Sequence, residues 1–196
     1  MSTVVEALPP AVPQTRRLYT YAELVAEMPE TTQPHELWDG ELIMAPAPFF
    51  EHQKTVLRFY RRLDDWVSAR DLGEVVTAPI DMVLSPHRAV QPDVAFIAKD
   101  RLAIIQRVIM GPADLVAEVV SLGGRSRDRI EKRDLYEQHG VKEYWIIDPE
   151  PETVEVLALV NGRYELIKRS LPGETAASRL LPGFEVVVTY LFRGKC

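Results

Sequence analysis

The sequence predicts an α/β fold in which helices flank a central mixed β-sheet. Helix-like and strand-like segments alternate along the chain. Residues 114–120 form an almost wholly apolar run, which is typical of a strand covered on both faces. A helix-like segment separates that run from the next apolar run, 143–148, and such a strand–helix–strand connection favours a parallel pair of strands.

Length and composition predict one globular domain. The chain has 196 residues, of which 46% are hydrophobic and 27% charged, and a chain of this size buries enough surface to fold without cross-links. Prolines 9, 10 and 13 among small residues predict a flexible leader over residues 1–17. We therefore expect a single domain from 18 to 196.

Local signals place the elements of the N-terminal half. Thr20 and Glu23 have the spacing of a capping box and predict a short helix to about Met28. Asp39-Gly40 predicts a two-residue hairpin turn within 36–45. An apolar stripe at helical spacing predicts a long helix over 51–70. Further segments are predicted as strands, at 74–78, 81–84 and 93–97, and as a short helix, at 101–108.

The C-terminal half is predicted as a crossover followed by a β-meander. Gly140 closes a helix predicted over 126–139. Asn161-Gly162 predicts a hairpin between strands 154–160 and 163–168. One more strand is predicted near 184–188.

Charge and cysteine content restrict the functional class. The formal net charge of −6 argues against nucleic-acid binding over the whole surface, although it permits a local basic cleft. Cys196 is the only cysteine, which fits a reducing compartment. We find no signal-peptide pattern and no apolar run long enough to span a membrane. The expectation is a cytoplasmic protein.

Two carboxylates stand in strand-like, apolar surroundings. Asp93 opens the segment PDVAFI, and Glu118 lies inside LVAEVV. A glutamate in such a run is costly unless it is paired or binds a cation. The alternative is that Asp93 is a solvated turn residue and Glu118 a structural ion-pair member. If both acids lie together on neighbouring strands, they form a hard-cation site for Mg²⁺ or Mn²⁺.

Lys132 is the candidate cation beside this site. Its helix follows the Glu118 strand directly, and Lys132 lies one turn before Tyr136 on a face that can look toward the sheet. A lysine there can neutralise transition-state charge. Its ordinary alternative is pairing with Asp128 or Asp134 on a wet helix face. For the neighbouring basic residues a solvated face is the simpler interpretation.

Several segments of the chain resemble those of a known protein family. Pro92-Asp93 followed by Glu118 in an apolar strand resembles the PD-(D/E)XK nuclease signature, which is weak alone. The wider chain, from about Tyr21 to Val188, resembles the Uma-two family of bacterial restriction-endonuclease-like proteins. The segments that carry this resemblance are HELWDGEL at 35–42, EHQ at 51–53, VQPD at 90–93, AEVVS at 117–121, EKRDLY at 131–136 and VKEYWIIDP at 141–149.

The resemblance implies a restriction-endonuclease-like fold with Asp93 and Glu118 in the active site and Glu36 or Glu41 as a further acid. The lysine of the nuclease signature, two residues after the glutamate, is replaced here by Val120. The resemblance further implies that the lysine lies on the following helix, where it corresponds to Lys132.

The function implied is Mg²⁺- or Mn²⁺-dependent hydrolysis of phosphodiester bonds in DNA. Further phosphate contacts are expected from four basic residues, Arg125, Arg127, Arg129 and His52; for His52 a merely exposed position on its helix is the alternative. The rival function is a non-catalytic nucleic-acid-binding or assembly module that retains the fold, which the acidic net charge and the moved lysine favour mildly. Phosphoester chemistry on a small molecule is a third possibility. A homodimer is expected by fold analogy only.

Overall fold

A computed structural model describes residues 17–28, 35–44, 47–121 and 130–193. The predicted leader falls outside these ranges except for Arg17. The described helices are α1 Tyr21–Glu27, α2 Phe50–Ser68, a 3₁₀ helix Lys99–Ile104, α3 Lys132–His139 and α4 Val188–Arg193. None of them combines the length and the apolar character needed to cross a membrane.

The strands form two larger sheets and one short pair. The six-stranded sheet contains β3 Gly73–Thr77, β6 Val94–Ala98, β8 Leu115–Val119, β9 Glu143–Asp148, β10 Thr153–Val160 and β11 Arg163–Ser170. The five-stranded sheet contains β1 His35–Trp38, β2 Glu41–Met44, β4 Met82–Ser85, β5 Arg88–Val90 and β7 Ile109–Met110. The pair consists of β12 Thr175–Ala177 and β13 Glu185–Val187.

The six-stranded sheet is mixed, as predicted. Its order is β11-β10-β9-β8-β6-β3. β8 and β9 are parallel, and α3 lies in the connection between them. The other pairings are antiparallel, and β10 and β11 form the hairpin predicted in the C-terminal meander. The further strand predicted near 184–188 is β13, which pairs with β12 instead of joining this sheet.

Apolar side chains cover both faces of this sheet. Alternate residues of β8 point to opposite sides: Leu115 and Val119 belong to the core under α2 and α4, whereas Val116 belongs to the core under α3. On the first face Phe59 of α2 packs against Trp145, with ring centroids 5.1 Å apart. Each large apolar side chain so buried contributes about 1.5–3 kcal/mol, so α2 and α3 are fixed against the strands that carry the candidate acids.

The five-stranded sheet brings the N-terminal hairpin to the start of β6. Asp39 and Gly40 both have positive φ angles, 49° and 84°, as a two-residue turn of this kind requires. β1 also pairs with β5, and β5 leads through residues 91–93 directly into β6. The hairpin that carries Glu36 is therefore tied to the chain segment that carries Asp93.

Some predicted elements differ from the structure. The short helix expected at 101–108 is a 3₁₀ helix ending at Ile104, and residues 109–110 instead pair with β4 as a strand. β5, β12 and α4 were not predicted, because short elements gain their stability from tertiary packing rather than local pattern. α3 is described from Lys132 to its left-handed cap at Gly140; the predicted start near 126 lies outside the described residues.

Candidate active site

The register of β6 against β8 places Asp93 and Glu118 at one end of the sheet. Val94 of β6 pairs with Ala117 of β8 in the antiparallel ladder. Asp93 comes directly before Val94 and Glu118 directly after Ala117, so both acids lie at the same end of the two strands. The backbone N–H of Val119 donates to Asp93 Oδ2 at 2.7 Å. The two acids therefore lie on adjacent segments, as the sequence predicted.

Glu118 points to the face covered by α3, the same face as Val116 and Val120. Only 2% of it is exposed. Its Oε1 accepts hydrogen bonds from Lys132 Nζ at 2.9 Å and from Tyr136 OH at 2.6 Å. Lys132 and Tyr136 are one helical turn apart, so one face of α3 supplies both donors.

Glu36 is a second acid that contacts Lys132. Its Oε1 lies 3.1 Å from Lys132 Nζ and accepts from the backbone N–H of Gln91 at 3.2 Å, and its Oε2 accepts from Trp38 Nε1 at 2.9 Å. Burial alone would raise the pKa of Glu36, but the Lys132 ammonium and the hydrogen bonds from Trp38 and Gln91 outweigh it and lower the pKa. Glu36 is thus an ionised carboxylate at neutral pH.

Lys132 joins the two sheets through these contacts. Its ammonium is buried and lies between Glu36 of the five-stranded sheet and Glu118 of the six-stranded sheet. The alternative of a solvated lysine on a wet helix face does not fit this burial.

His52 lies on the other side of Asp93. Its Nε2 is 3.3 Å from Asp93 Oδ2, and both side chains are mostly buried. His52 belongs to the first turn of α2. The alternative of a merely exposed position on the helix does not fit this burial, and His52 lies beside Asp93.

Tyr136 is a site residue to which the sequence assigned no role. Burial and the charge of Glu118 raise the pKa of Tyr136 well above its usual value. Its hydroxyl therefore stays protonated and remains a donor to Glu118. The available signal was its position one turn after Lys132, which places the two side chains on the same helix face.

The remaining candidates are placed less directly. Glu41 lies on β2, opposite Trp38 in the hairpin register, whereas Glu36 is the hairpin acid found against Lys132. Arg125, Arg127 and Arg129 lie outside the described residues. The structure thus brings together Asp93 with His52, and Glu118 with Lys132, Tyr136 and Glu36.

The chemistry of the acids can be compared with that of a metal site. Within the described ranges, no group of three or more histidine, cysteine or acidic residues is arranged to hold a metal ion. Mg²⁺, however, is commonly bound through one or two carboxylates while retaining several waters. Asp93 and Glu118 supply oxygen donors of that kind at the same end of the neighbouring strands β6 and β8. The donor set fits a magnesium or manganese ion completed by water or phosphate oxygens.

The fold is that of a known class of structures. The chain is similar to a crystal structure described as a putative nuclease belonging to DUF820 from Anabaena variabilis ATCC 29413, with a TM-score of 0.75 and 18% sequence identity. The match covers 88% of this chain and 97% of that one. At this identity the likeness shows the fold alone.

Family membership follows from the sequence. Residues 21–189 match the model of the Uma2 family, described as putative restriction endonuclease, so the chain belongs to that family. No curated protein matches the chain significantly.

Proposed function

We propose that this protein is a metal-dependent nuclease that hydrolyses phosphodiester bonds in DNA. Its family and its fold support a nuclease with a nucleic-acid substrate. The observation that carries the proposal is the buried ammonium of Lys132, held between Glu36 and Glu118. The residue after Glu118, Val119, donates its backbone N–H to Asp93. Burying three charged groups together is costly, and an active site is a place where such a cost is retained.

Asp93 and Glu118 are proposed as the residues that hold Mg²⁺ or Mn²⁺. When bound, such an ion lowers the pKa of a coordinated water and polarises the phosphate. The backbone N–H of Val119 fixes one oxygen of Asp93. Tyr136 fixes Oε1 of Glu118. These contacts orient the two carboxylates in advance, which reduces the reorganisation needed during the reaction.

Lys132 is proposed as the cation that stabilises charge on the phosphate. It occupies the role that Val120 cannot fill, and its four-carbon stem reaches the end of β8 from the next helix. Glu36 is a positioning residue in this scheme, because it contacts Lys132 and receives its own hydrogen bonds from Trp38 and Gln91. His52, together with Arg125, Arg127 and Arg129, is proposed to contact the phosphate backbone.

The test is a cleavage screen with Mg²⁺ and with Mn²⁺ on single-stranded, duplex and branched DNA and on RNA. Wild-type protein is expected to cleave DNA, and Asp93→Asn is expected to abolish cleavage while retaining the fold. Lys142→Ala is a matched control, since Lys142 also pairs with a buried acid, Asp114, but away from the site. It should cleave like the wild type.

Two outcomes would overturn the proposal. Metal binding by calorimetry without cleavage of any nucleic acid would favour the non-catalytic module. Cleavage of a nucleotide ester, but of no polymer, would assign the site to small-molecule chemistry. Cleavage of RNA alone would keep the nuclease but correct the substrate.

A further inference from the structure

Asp81 is an acid whose two carboxylate oxygens are engaged by two distant parts of the chain. It comes directly before β4 and is half-buried. Its Oδ2 accepts a hydrogen bond from the hydroxyl of Tyr21 in α1 at 2.7 Å, and its Oδ1 accepts from Nε2 of Gln91 at 2.8 Å. Gln91 lies in the short segment between β5 and β6. Asp81 therefore ties that segment to β4 and to α1.

Gln91 connects this tie to both halves of the candidate active site. Its backbone N–H donates to Glu36 Oε1 at 3.2 Å, and the same oxygen lies 3.1 Å from Lys132 Nζ. Gln91 is followed by Pro92, which is buried, and then by Asp93. A proline fixes its own φ angle and restricts the residue before it to extended conformations, which leaves few free rotations between Gln91 and Asp93. A displacement of Gln91 would therefore disturb both acids.

Asp81 is itself held in place from two sides. Burial and the hydrogen bond to Asp81 raise the pKa of Tyr21, so the hydroxyl stays protonated and donates to the carboxylate. The backbone oxygen of Asp81 accepts from the N–H of Ile109 in β7 at 2.9 Å. The carboxylate therefore presents its other oxygen to Gln91 from a fixed position.

We propose that Asp81 acts as a positioning residue for the candidate active site through its hydrogen bond to Gln91. Gln91 in turn holds Glu36 in place and limits the movement of Asp93. This inference rests on the proposed nuclease function and adds to it a residue that acts through another side chain rather than on the substrate. Residues that support metal ligands from behind commonly change metal affinity or activity by about 10- to 100-fold when they are replaced.

Two substitutions of Asp81 separate a positioning role from a role that needs its charge. Asp81→Ala removes the acceptor of Gln91. In Asp81→Asn the side-chain amide of Gln91 can turn over and keep one hydrogen bond, because an amide carries both a donor and an acceptor. A positioning residue therefore predicts that Asp81→Asn resembles the wild type, whereas a charged role predicts that it fails like Asp81→Ala.

The first measurement follows the carboxylate of Glu36 and does not depend on activity. Trp38 Nε1 donates to Glu36 Oε2 at 2.9 Å, so the indole N–H signal of Trp38 in proton–nitrogen NMR spectra reports where that carboxylate lies. Asp81→Ala should shift this signal, which Trp38→Phe assigns. Asp81→Asn should leave it near the wild-type position, and so should Tyr21→Phe, which removes the other hydrogen bond of Asp81. An unchanged signal in Asp81→Ala would overturn the inference.

The second measurement is calorimetry with Mn²⁺, followed by the cleavage assay. Asp81→Ala should lose about 10-fold in Mn²⁺ affinity and in turnover, at the lower end of the range for supporting residues. Gln91→Ala breaks the same hydrogen bond from the other partner and should give the same loss, also if Asp81→Ala does not fold. The double variant should be no worse than either single one, because both changes remove one contact. Urea unfolding checks that each variant is folded in the assays.

The outcomes distinguish this inference from the nuclease proposal. If the wild-type protein cleaves and Gln91→Ala matches it in Mn²⁺ affinity and turnover, the positioning role is wrong and the nuclease stands. If Asp81→Asn loses as much Mn²⁺ affinity as Asp81→Ala, the charge of Asp81 acts directly and the positioning role is again wrong. If the wild-type protein binds no Mn²⁺ and cleaves no nucleic acid, the proposed function fails and the role of Asp81 fails with it.

Discussion

Two buried glutamates on neighbouring strands, Glu118 and Glu143, differ in the chemistry of their hydrogen-bond partners. Glu118 lies on β8 and Glu143 on the parallel strand β9, at opposite ends of the pair. Glu143 is 0% exposed, and each of its carboxylate oxygens accepts two hydrogen bonds. The donors are neutral and belong to Trp145, Ser178, Arg179 and Leu180.

The environment of Glu118 is different in kind. Its donors among the described residues include a lysine ammonium and a tyrosine hydroxyl, and the same ammonium also contacts Glu36. Fixed backbone and ring N–H groups hold Glu143 as a clamp for the chain segment 178–180. A long side chain shared between two acids can instead redistribute its contacts when a cation or phosphate arrives. Burial of a carboxylate alone therefore does not identify a site, because Glu143 is as buried as Glu118.

The largest expected effect is a loss of stability in Glu143→Ala. Four donors lose their acceptor, and each unsatisfied buried donor costs about 1–3 kcal/mol. We expect the free energy of unfolding to fall by at least about 4 kcal/mol, with Tm lower by roughly 8–16 °C, and folded protein to retain its turnover. Urea unfolding is the measurement, with the exposed Glu165→Ala as control. If Glu143→Ala lost no more stability than Glu165→Ala, the structural role of Glu143 in holding residues 178–180 would be wrong.

Lys132→Met tests the environment of Glu118, the other glutamate of the comparison. The substitution leaves Glu36 and Glu118 without the ammonium that pairs with them. Because breaking a buried ion pair costs roughly 3–5 kcal/mol, we expect the free energy of unfolding to fall by about 3 kcal/mol. Turnover should fall at least about 100-fold. Lys132→Arg should restore stability better than turnover, since a planar guanidinium can pair with both acids but does not replace a compact charge. Full turnover in either variant would remove Lys132 from the chemistry.

Glu118→Gln should separate activity from stability. The amide oxygen still accepts from Tyr136, so the free energy of unfolding should fall by only about 2 kcal/mol, the value for a hydrogen bond to a charged group. Cleavage and manganese binding should both be lost. Calorimetry with Mn²⁺ on wild-type and variant protein checks this, and equal binding would show that Glu118 is not a ligand.

The smallest effect concerns Glu36 and depends on pH. Its pKa is lowered in the folded protein from an ordinary value of 4.5, so its contribution to stability is present above pH 4.5 and is lost as pH falls through the folded pKa. The free energy of unfolding of the wild-type protein should exceed that of Glu36→Gln by about 1 kcal/mol near pH 7. Urea unfolding as a function of pH should show the two curves converging below pH 4.5. A constant difference down to pH 3 would mean that the charge of Glu36 contributes nothing.

The sequence predicted those parts of the fold and site that depend on local pattern. Alternating apolar segments identified β8, β9 and the crossover helix, and turn residues identified the hairpins at Asp39-Gly40 and Asn161-Gly162. The same patterns identified Asp93 and Glu118 as acids in strand surroundings. Lys132 followed from the helix after β8 together with the family resemblance, because the lysine expected at Val120 is absent. Each of these features depends on a short stretch of consecutive residues or on neighbouring elements in the chain.

Only the tertiary structure decided which distant residues meet. Glu36 contacts Lys132 because the hairpin packs beside residues 91–93. His52 reaches Asp93 because α2 packs on the sheet with its first turn beside the start of β6. The four donors around Glu143 come partly from residues 178–180, more than thirty positions away. No local pattern specifies such contacts, because they depend on packing between elements whose separation along the chain carries no information about their distance in space.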